Sequence, residues 1–289
     1  MRLPAPTDHP FLLPVAEALA AAKGFTQLEY VGHGAFKETY RVVDRSNALF
    51  AVKLFDPEKC DLVRSDREID ALLRCDSPLI ARLIDHGSLP YSGMVFLYSV
   101  EEYLSGGTLS AEMQGGMLSP ERVRVVGMNI AKAIDHLRER NLVHRDIKPD
   151  NIMFRENSRD PVLVDFGLVR DLSLISLTHS WAPQGPCTPF YGAPEQLRNE
   201  KGLIGWRTDQ FCLGVVLSMC LLGVHPFAVV GMNVPEILTA AANRQGPSPE
   251  FLSKLKERKM SWISGMVQPW PIRRYQSMET LLESMAKEN

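Results

Sequence analysis

His144-Arg145-Asp146-Ile147-Lys148-Pro149-Asp150-Asn151 packs a carboxylate, an amine and an amide oxygen into one octapeptide. A reaction that moves a phosphoryl group needs one of each. It takes a carboxylate near the attacking hydroxyl, a cation against the phosphate, and oxygen ligands for Mg²⁺. A charged surface loop is the bland reading, and it rarely produces a string this long. Fourteen positions after Asn151 comes Asp165-Phe166-Gly167, behind the apolar run Val162-Leu163-Val164. A carboxylate at a strand end can hold a hard cation that bridges phosphates. Alone the tripeptide reads as a turn; its spacing from Asn151 makes it the second half of a metal site.

Outward from this centre the residue pattern changes character. Upstream, short β-rich runs at residues 28–31, 39–43 and 49–54 are separated by turn-like stretches. Asp56-Pro57 predicts a helix start, with a helical pattern on to residue 75. Two more strands are expected at 80–85 and 94–101, and Ser105-Gly106-Gly107 then reads as a hinge. Downstream, helices dominate. Ser119-Pro120-Glu121 supplies an N-cap, a proline at the first position and an acidic first turn. Val123, Val126, Ile130, Ala133, Ile134 and Leu137 follow on one face. Further helices are expected at 211–222, 235–244 and 278–287. Residues 1–26 read as an N-terminal extension with a short helix at 15–23. The coarse expectation is an α+β chain, a small β-rich part followed by a larger α-rich part.

Taken together, the octapeptide, the Asp-Phe-Gly string, Thr188-Pro189 and Ala193-Pro194-Glu195 resemble the eukaryotic-type (Hanks-type) serine/threonine protein kinase family. The resemblance runs over about residues 28–285, and the look of the glycine loop leans towards a bacterial member. It implies a bilobal fold, with an N-lobe at 27–104, a C-lobe at 105–289 and one kinase domain over 27–285. It implies ATP and Mg²⁺, with Mn²⁺ as an alternative. It also implies protein substrates, among them a second copy of the chain in trans. In the family's pattern Asp146 takes the substrate hydroxyl's proton and Lys148 contacts the γ-phosphate. Asn151 and Asp165 hold the metal. The glutamate that ends the activation segment, Glu195, is expected to pair with Arg274, and Asp209 to brace the catalytic loop.

Gly32-His33-Gly34-Ala35-Phe36-Lys37 is similar to the family's glycine-rich loop, where a missing Cβ lets backbone amides approach phosphates. A bare Gly-x-Gly is more often a plain hairpin turn. Lys37 replaces the third glycine and either projects away or reaches a phosphate. Ala51-Val52-Lys53 resembles the strand that presents the α/β-phosphate lysine. Its apolar setting demands a counter-charge, for which Glu68 is the candidate. A capping box at Ser65 to Glu68 is the competing reading of that glutamate. Main-chain groups of Glu102 and Leu104 are expected to bond adenine, with Val31, Thr39, Ala51, Met153 and Val164 lining its slot. Glu101 then falls at the position guarding the back pocket, where an acid is atypical.

Composition narrows the alternatives. With 289 residues, 45% hydrophobic and 23% charged, the chain can bury a sizeable core. A net charge of −2 argues against nucleic acid or an anionic membrane surface as the main partner. Five scattered cysteines without a CxxC pair argue against a zinc site or disulfide framework, and for a reducing, cytoplasmic compartment. The apolar run at 211–224 spans about 14 residues, short of the ~20 that cross a bilayer, and the N-terminus lacks a signal-peptide pattern. Arg145 beside Asp146 implies a cationic pocket for a phosphorylated segment, with Ser173, Ser176, Thr178 and Ser180 in range and Thr178 or Ser180 the expected sites. Two other function classes remain: a nucleotide-binding pseudokinase scaffold, suggested by the altered glycine loop and Glu101, and a small-molecule kinase.

Overall fold

A computed structural model describes residues 11–34, 36–59, 62–173 and 187–288, with backbone alone at residues 62–64. The chain divides into two units, residues 1–73 with 81–103, and residues 74–80 with 104–289.

The first unit holds α1 (Leu13–Lys23), β1 (Gln27–His33), β2 (Lys37–Val43), β3 (Leu49–Phe55), α2 (Leu62–Leu73), β4 (Leu83–Tyr91) and β5 (Met94–Glu102). Its five strands form one antiparallel sheet in the order β1-β2-β3-β5-β4. Side chains alternate between faces with a period of two. Tyr40, Val42, Val52, Leu54, Tyr98 and Val100 therefore share one face, and they pack with Leu12, Val15, Ala16 and Leu19 of the α1 region. Full burial of each such aliphatic side chain stabilises by about 1.5–3 kcal/mol. The buried Glu38 fastens α1 to β2. Its carboxylate accepts the amides of Phe11 and Leu12 at 2.8 and 3.1 Å, and the Tyr40 hydroxyl at 2.5 Å. The short helix expected within the N-terminal extension thus forms, and it completes the sheet's core.

Two expected elements end elsewhere. Asp56 does not start a helix; its Oδ1 accepts the Glu58 amide at 3.0 Å, and α2 is assigned from Leu62. A short polar side chain that bonds the backbone two residues on competes with helix initiation. The strand expected at 80–85 runs instead from Leu83 to Tyr91, while Ile80 makes a lone bridge to Leu163 of the second unit's own residues. Gly87 lies within the strand, where a Cβ would sit 2.7 Å from the Tyr98 hydroxyl. Ser92 and Gly93, both at positive φ, turn the chain into β5.

The second unit holds α3 (Leu109–Met113), α4 (Pro120–Glu139), β6 (Leu142–Val143), β7 (Ile152–Phe154), β8 (Pro161–Leu163) and β9 (Arg170–Asp171). It continues with α5 (Pro194–Leu197), α6 (Trp206–Leu222), α7 (Val234–Ala242), α8 (Pro249–Glu257), α9 (Trp262–Met266) and α10 (Met278–Lys287). As expected, Ser119 caps α4, its Oγ accepting the Arg122 amide at 3.2 Å. Helix α6 is buried along nearly its whole length and packs on α4, α9 and the loop before β7. The ribbons β6–β9 and β7–β8 bracket that loop. A sheet-rich unit and a helix-rich unit make this an α+β fold, the expected class. No helix of the described residues is long and apolar enough to cross a membrane.

Candidate active site

In the second unit the octapeptide forms the loop between β6 and β7, and a carboxylate shapes it from below. Asp209, in the first turn of α6 and fully buried, accepts the amides of His144 and Arg145, both at 2.8 Å. Burial pushes the Asp209 carboxyl up from its ordinary range, opposed by His144 and by those two amides. The bonds hold Arg145 at φ 71°, a left-handed conformation costly for a side chain of its size. His144 works in both directions. One ring nitrogen accepts the Asp146 amide at 3.3 Å and the other donates to the Val164 carbonyl at 3.1 Å. That pattern assigns the proton to Nε2. The ring also stands edge-on to Phe166, 5.1 Å between centroids. One histidine therefore ties the catalytic loop to the Asp-Phe-Gly string.

The Asp146 carboxylate is held on both oxygens. Oδ1 accepts the Thr188 hydroxyl at 2.6 Å and its amide at 3.1 Å. Oδ2 accepts the Lys148 amine at 2.8 Å and the Asn151 amide group at 3.1 Å. Lys148 also donates to the Thr188 hydroxyl at 3.2 Å. Asn151 gives its Nδ2 to the Asp146 main-chain carbonyl at 2.8 Å as well, so Oδ1 is the atom of this side chain that could serve a cation. The Val164 amide donates to the Asn151 carbonyl at 3.0 Å, so Asp165 follows directly from a residue bonded to Asn151. Asp165 itself sits at φ 65° and accepts the Gly167 amide at 3.2 Å. An amide oxygen and a carboxylate are hard donors that fit Mg²⁺, which takes one or two protein ligands and fills the rest with water and phosphate oxygens. Among the described residues no group of three or more His, Cys, Asp and Glu could hold a metal by itself.

The segment end matches its expectation. Arg274 grips Glu195 with two bonds of 2.6 and 2.9 Å, both side chains fully buried, and Thr208 adds a third donor at 3.0 Å. Next to it, Gln196 donates to the Arg145 carbonyl at 2.7 Å. Of the expected modification sites, Ser173 bonds Asp171 at 2.5 Å; Ser176, Thr178 and Ser180 lie outside the described residues. Met153 pairs with Val162 in the β7–β8 ribbon, and Leu104 is buried.

In the first unit the structure corrects the sequence. Register places Lys37, Thr39, Ala51, Lys53, Ser99 and Glu101 on the sheet face opposite α1. Glu68 does point inward from α2, 3% exposed, and Ser65 lies inside that helix and not at its start, so the capping-box reading falls. Its ion-pair partner is Lys37, however, and Lys53 pairs with Glu101 at 2.7 Å. The expected Lys53–Glu68 pair is absent because Glu101 lies on the neighbouring strand, beside the residue facing Lys53, whereas Glu68 has to be met from a helix. Ser99 donates its hydroxyl to Glu101 at 2.9 Å and completes that carboxylate's partners. The glycine loop closes through the Gly34 amide on the Lys37 carbonyl at 2.8 Å, after a bulge between Tyr30 and Gly32 that leaves Val31 exposed. The Glu102 amide donates to the Arg82 carbonyl at 3.0 Å, which keeps that residue in the sheet. Sequence reading missed Thr188 as a site residue and Glu101 as a counter-ion. Strand alternation from Lys53 and Ser99 would have found Glu101 once β3 and β5 were known to be neighbours.

Comparison with known proteins matches most of the sequence. A family model for the protein kinase domain matches residues 25–285. The chain is similar to the serine/threonine-protein kinase PknD of Mycobacterium tuberculosis, 31% identical over 231 residues, 78% of this chain and 33% of that protein. It is 32% identical to CBL-interacting protein kinase 10 of rice over 209 residues, 68% of this chain and 43% of the relative. It is 26% identical to a probable serine/threonine-protein kinase, CPE1738, of Clostridium perfringens over 272 residues, 90% and 37% respectively. The chain therefore spans well under half the length of each of these relatives.

Proposed function

The chain belongs to the eukaryotic-type protein kinase family, and from that premise we propose that it moves the γ-phosphate of Mg·ATP onto serine or threonine hydroxyls of proteins. The observation that carries this reading is the Asp146 carboxylate, held on both oxygens by Thr188, Lys148 and Asn151. In the proposed step the substrate hydroxyl oxygen bonds to the γ-phosphorus while the bond to the bridging oxygen breaks. ADP departs with that electron pair, and the hydroxyl proton passes to Asp146. Lys148, 2.8 Å from that carboxylate, shifts its amine onto the transferring phosphoryl oxygens. Asn151 and Asp165 would hold Mg²⁺, or Mn²⁺ in the same hard-oxygen setting, which when bound would supply positive charge against the phosphates. Thr188, bonded to both Asp146 and Lys148, fixes the spacing of acid and amine.

Label transfer from γ-labelled ATP to a generic basic protein tests the reading. Transfer is expected with Mg²⁺, and is expected to be lost on chelation and in Asp146→Ala. Equal labelling by the variant would overturn the assignment. We further propose that Thr178 or Ser180 is phosphorylated in trans by a second copy and is received by Arg145. Phosphopeptide mapping of active protein without modification at either residue would remove that idea. The free thiols Cys75, Cys212 and Cys220 support a reducing, cytoplasmic setting.

A further inference from the structure

Two lysines stand on one face of the first unit's sheet, and each has its own carboxylate. Lys53 on β3 lies directly across from Thr39 on β2, and Lys37 lies two residues further along β2, across from Phe55. The two amines therefore leave the sheet from the same side, one diagonal step apart. Glu101 on β5 is paired with Ala51, one step along β3 from Lys53, and the two side chains meet at 2.7 Å. Both are nearly dry, with side chains 10% and 3% exposed. Lys37 meets Glu68 of α2, again with both side chains nearly dry, and its amine stands 5.6 Å over the Phe55 ring.

These pairs are not interchangeable. A buried carboxylate stripped of its cation is strongly destabilising, because its charge is left without water or a partner. If Lys53 swung to Glu68, Glu101 would keep only the Ser99 hydroxyl. The acid on β5 thus commits Lys53 to the sheet and leaves the helix carboxylate to align the other amine. Lys37 is also the residue placed where β2 leaves the glycine loop, one residue past Phe36 and bonded through its carbonyl to the Gly34 amide. A Cβ at Gly32 would meet nothing within 4 Å, so open space adjoins the loop that ends on this lysine.

Resting on the kinase reading above, we propose that Lys37, oriented by Glu68, is the amine that contacts the α- and β-phosphates of the nucleotide, and that Lys53 and Glu101 form a closed structural pair. Lys37 then does the work that the sequence resemblance assigns to Lys53. Glu68 acts as a positioning residue, setting the direction of the amine without touching the nucleotide.

Mg·ATP affinity, read by titration of a fluorescent ATP analogue, tests this without requiring turnover. Lys37→Met is expected to weaken binding at least tenfold and kcat/KM at least a hundredfold. Glu68→Gln is expected to raise KM for ATP more than it lowers kcat, and Glu68→Asp to recover part of the loss. Lys53→Met alone strands Glu101 and risks unfolding, so the informative variant is Lys53→Met/Glu101→Met, which removes both charges. That double variant is expected to lose less than Lys37→Met in both measurements, with its melting temperature reported alongside. The reverse order, with the folded double variant losing a hundredfold and Lys37→Met under threefold, overturns the proposal. If wild-type protein binds Mg·ATP but transfers no phosphate, the kinase reading fails, and the order of the two affinities still decides between the lysines.

Discussion

The loop at residues 144–151 and the sheet face bearing Lys37 and Lys53 both gather opposite charges, but along different routes through the chain. In the loop, Asp146, Lys148 and Asn151 lie within five residues of one another, and their mutual bonds follow from a short stretch of backbone. On the sheet, the two ion pairs join residues 31 and 48 positions apart, through strand register and a helix. Charges close in sequence can be paired from the sequence; charges close only in space cannot, because several equally sensible pairings exist. The sequence pointed Lys53 to Glu68, and the fold pairs it with Glu101 on the adjacent strand.

Four measurements would break or sharpen that contrast. The largest effect is expected at the local cluster, where Asp146→Ala should lower kcat by ~10³-fold, in the range for loss of a positioned acid–base group. A loss under tenfold in steady-state assays would place the chemistry elsewhere. Next comes the long-range pair that carries structure alone. Arg274→Met leaves the Glu195 carboxylate buried and unpaired and should cost about 3–5 kcal/mol in urea unfolding. Glu195→Met/Arg274→Met, which removes both charges, should cost less. Equal losses would mean that the salt bridge is not the source of the penalty.

A third effect is tied to pH. The buried His225 donates to the Phe190 carbonyl at 3.1 Å, and burial depresses its pKa from 6.5 to about 4. Because the folded value is the lower one, its contribution is fully present above about pH 6.5 and is lost as pH falls towards 4. The gap corresponds to at most about 3 kcal/mol. Urea midpoints of the wild type should therefore fall more steeply over this window than those of His225→Gln, and parallel slopes would contradict the assignment. The smallest effect is expected at Thr188. Thr188→Ala removes the hydroxyl's bonds to Asp146 and Lys148 and should lower kcat about tenfold, while Thr188→Ser, which keeps the hydroxyl, should recover most of it. No recovery with serine would mean that the methyl group, not the hydroxyl, matters.

Much of this molecule was readable beforehand, for identifiable reasons. The strands β1, β2, β3 and β5 and the helices α4, α6, α7 and α10 carry strong alternation, helical spacing or caps, and each lies where the pattern put it to within a few residues. The Glu195–Arg274 pair and the Asp209 brace followed from the family resemblance. Helix α8 was missed although Ser248-Pro249 is an N-cap signal like Ser119-Pro120. Helix α1 matches the short helix expected at 15–23, but its place in the sheet's core was not legible, because the contact to β2 runs through Glu38. Lys37 as the partner of Glu68 was hidden for the reason drawn from the two regions above.

The central claim is tested most directly by the product's chemistry. After incubation with γ-labelled Mg·ATP and a protein acceptor, acid hydrolysis should yield labelled phosphoserine or phosphothreonine from the wild type and none above background from Asp146→Ala. Label confined to phosphotyrosine, to a small molecule or to inorganic phosphate would contradict the account.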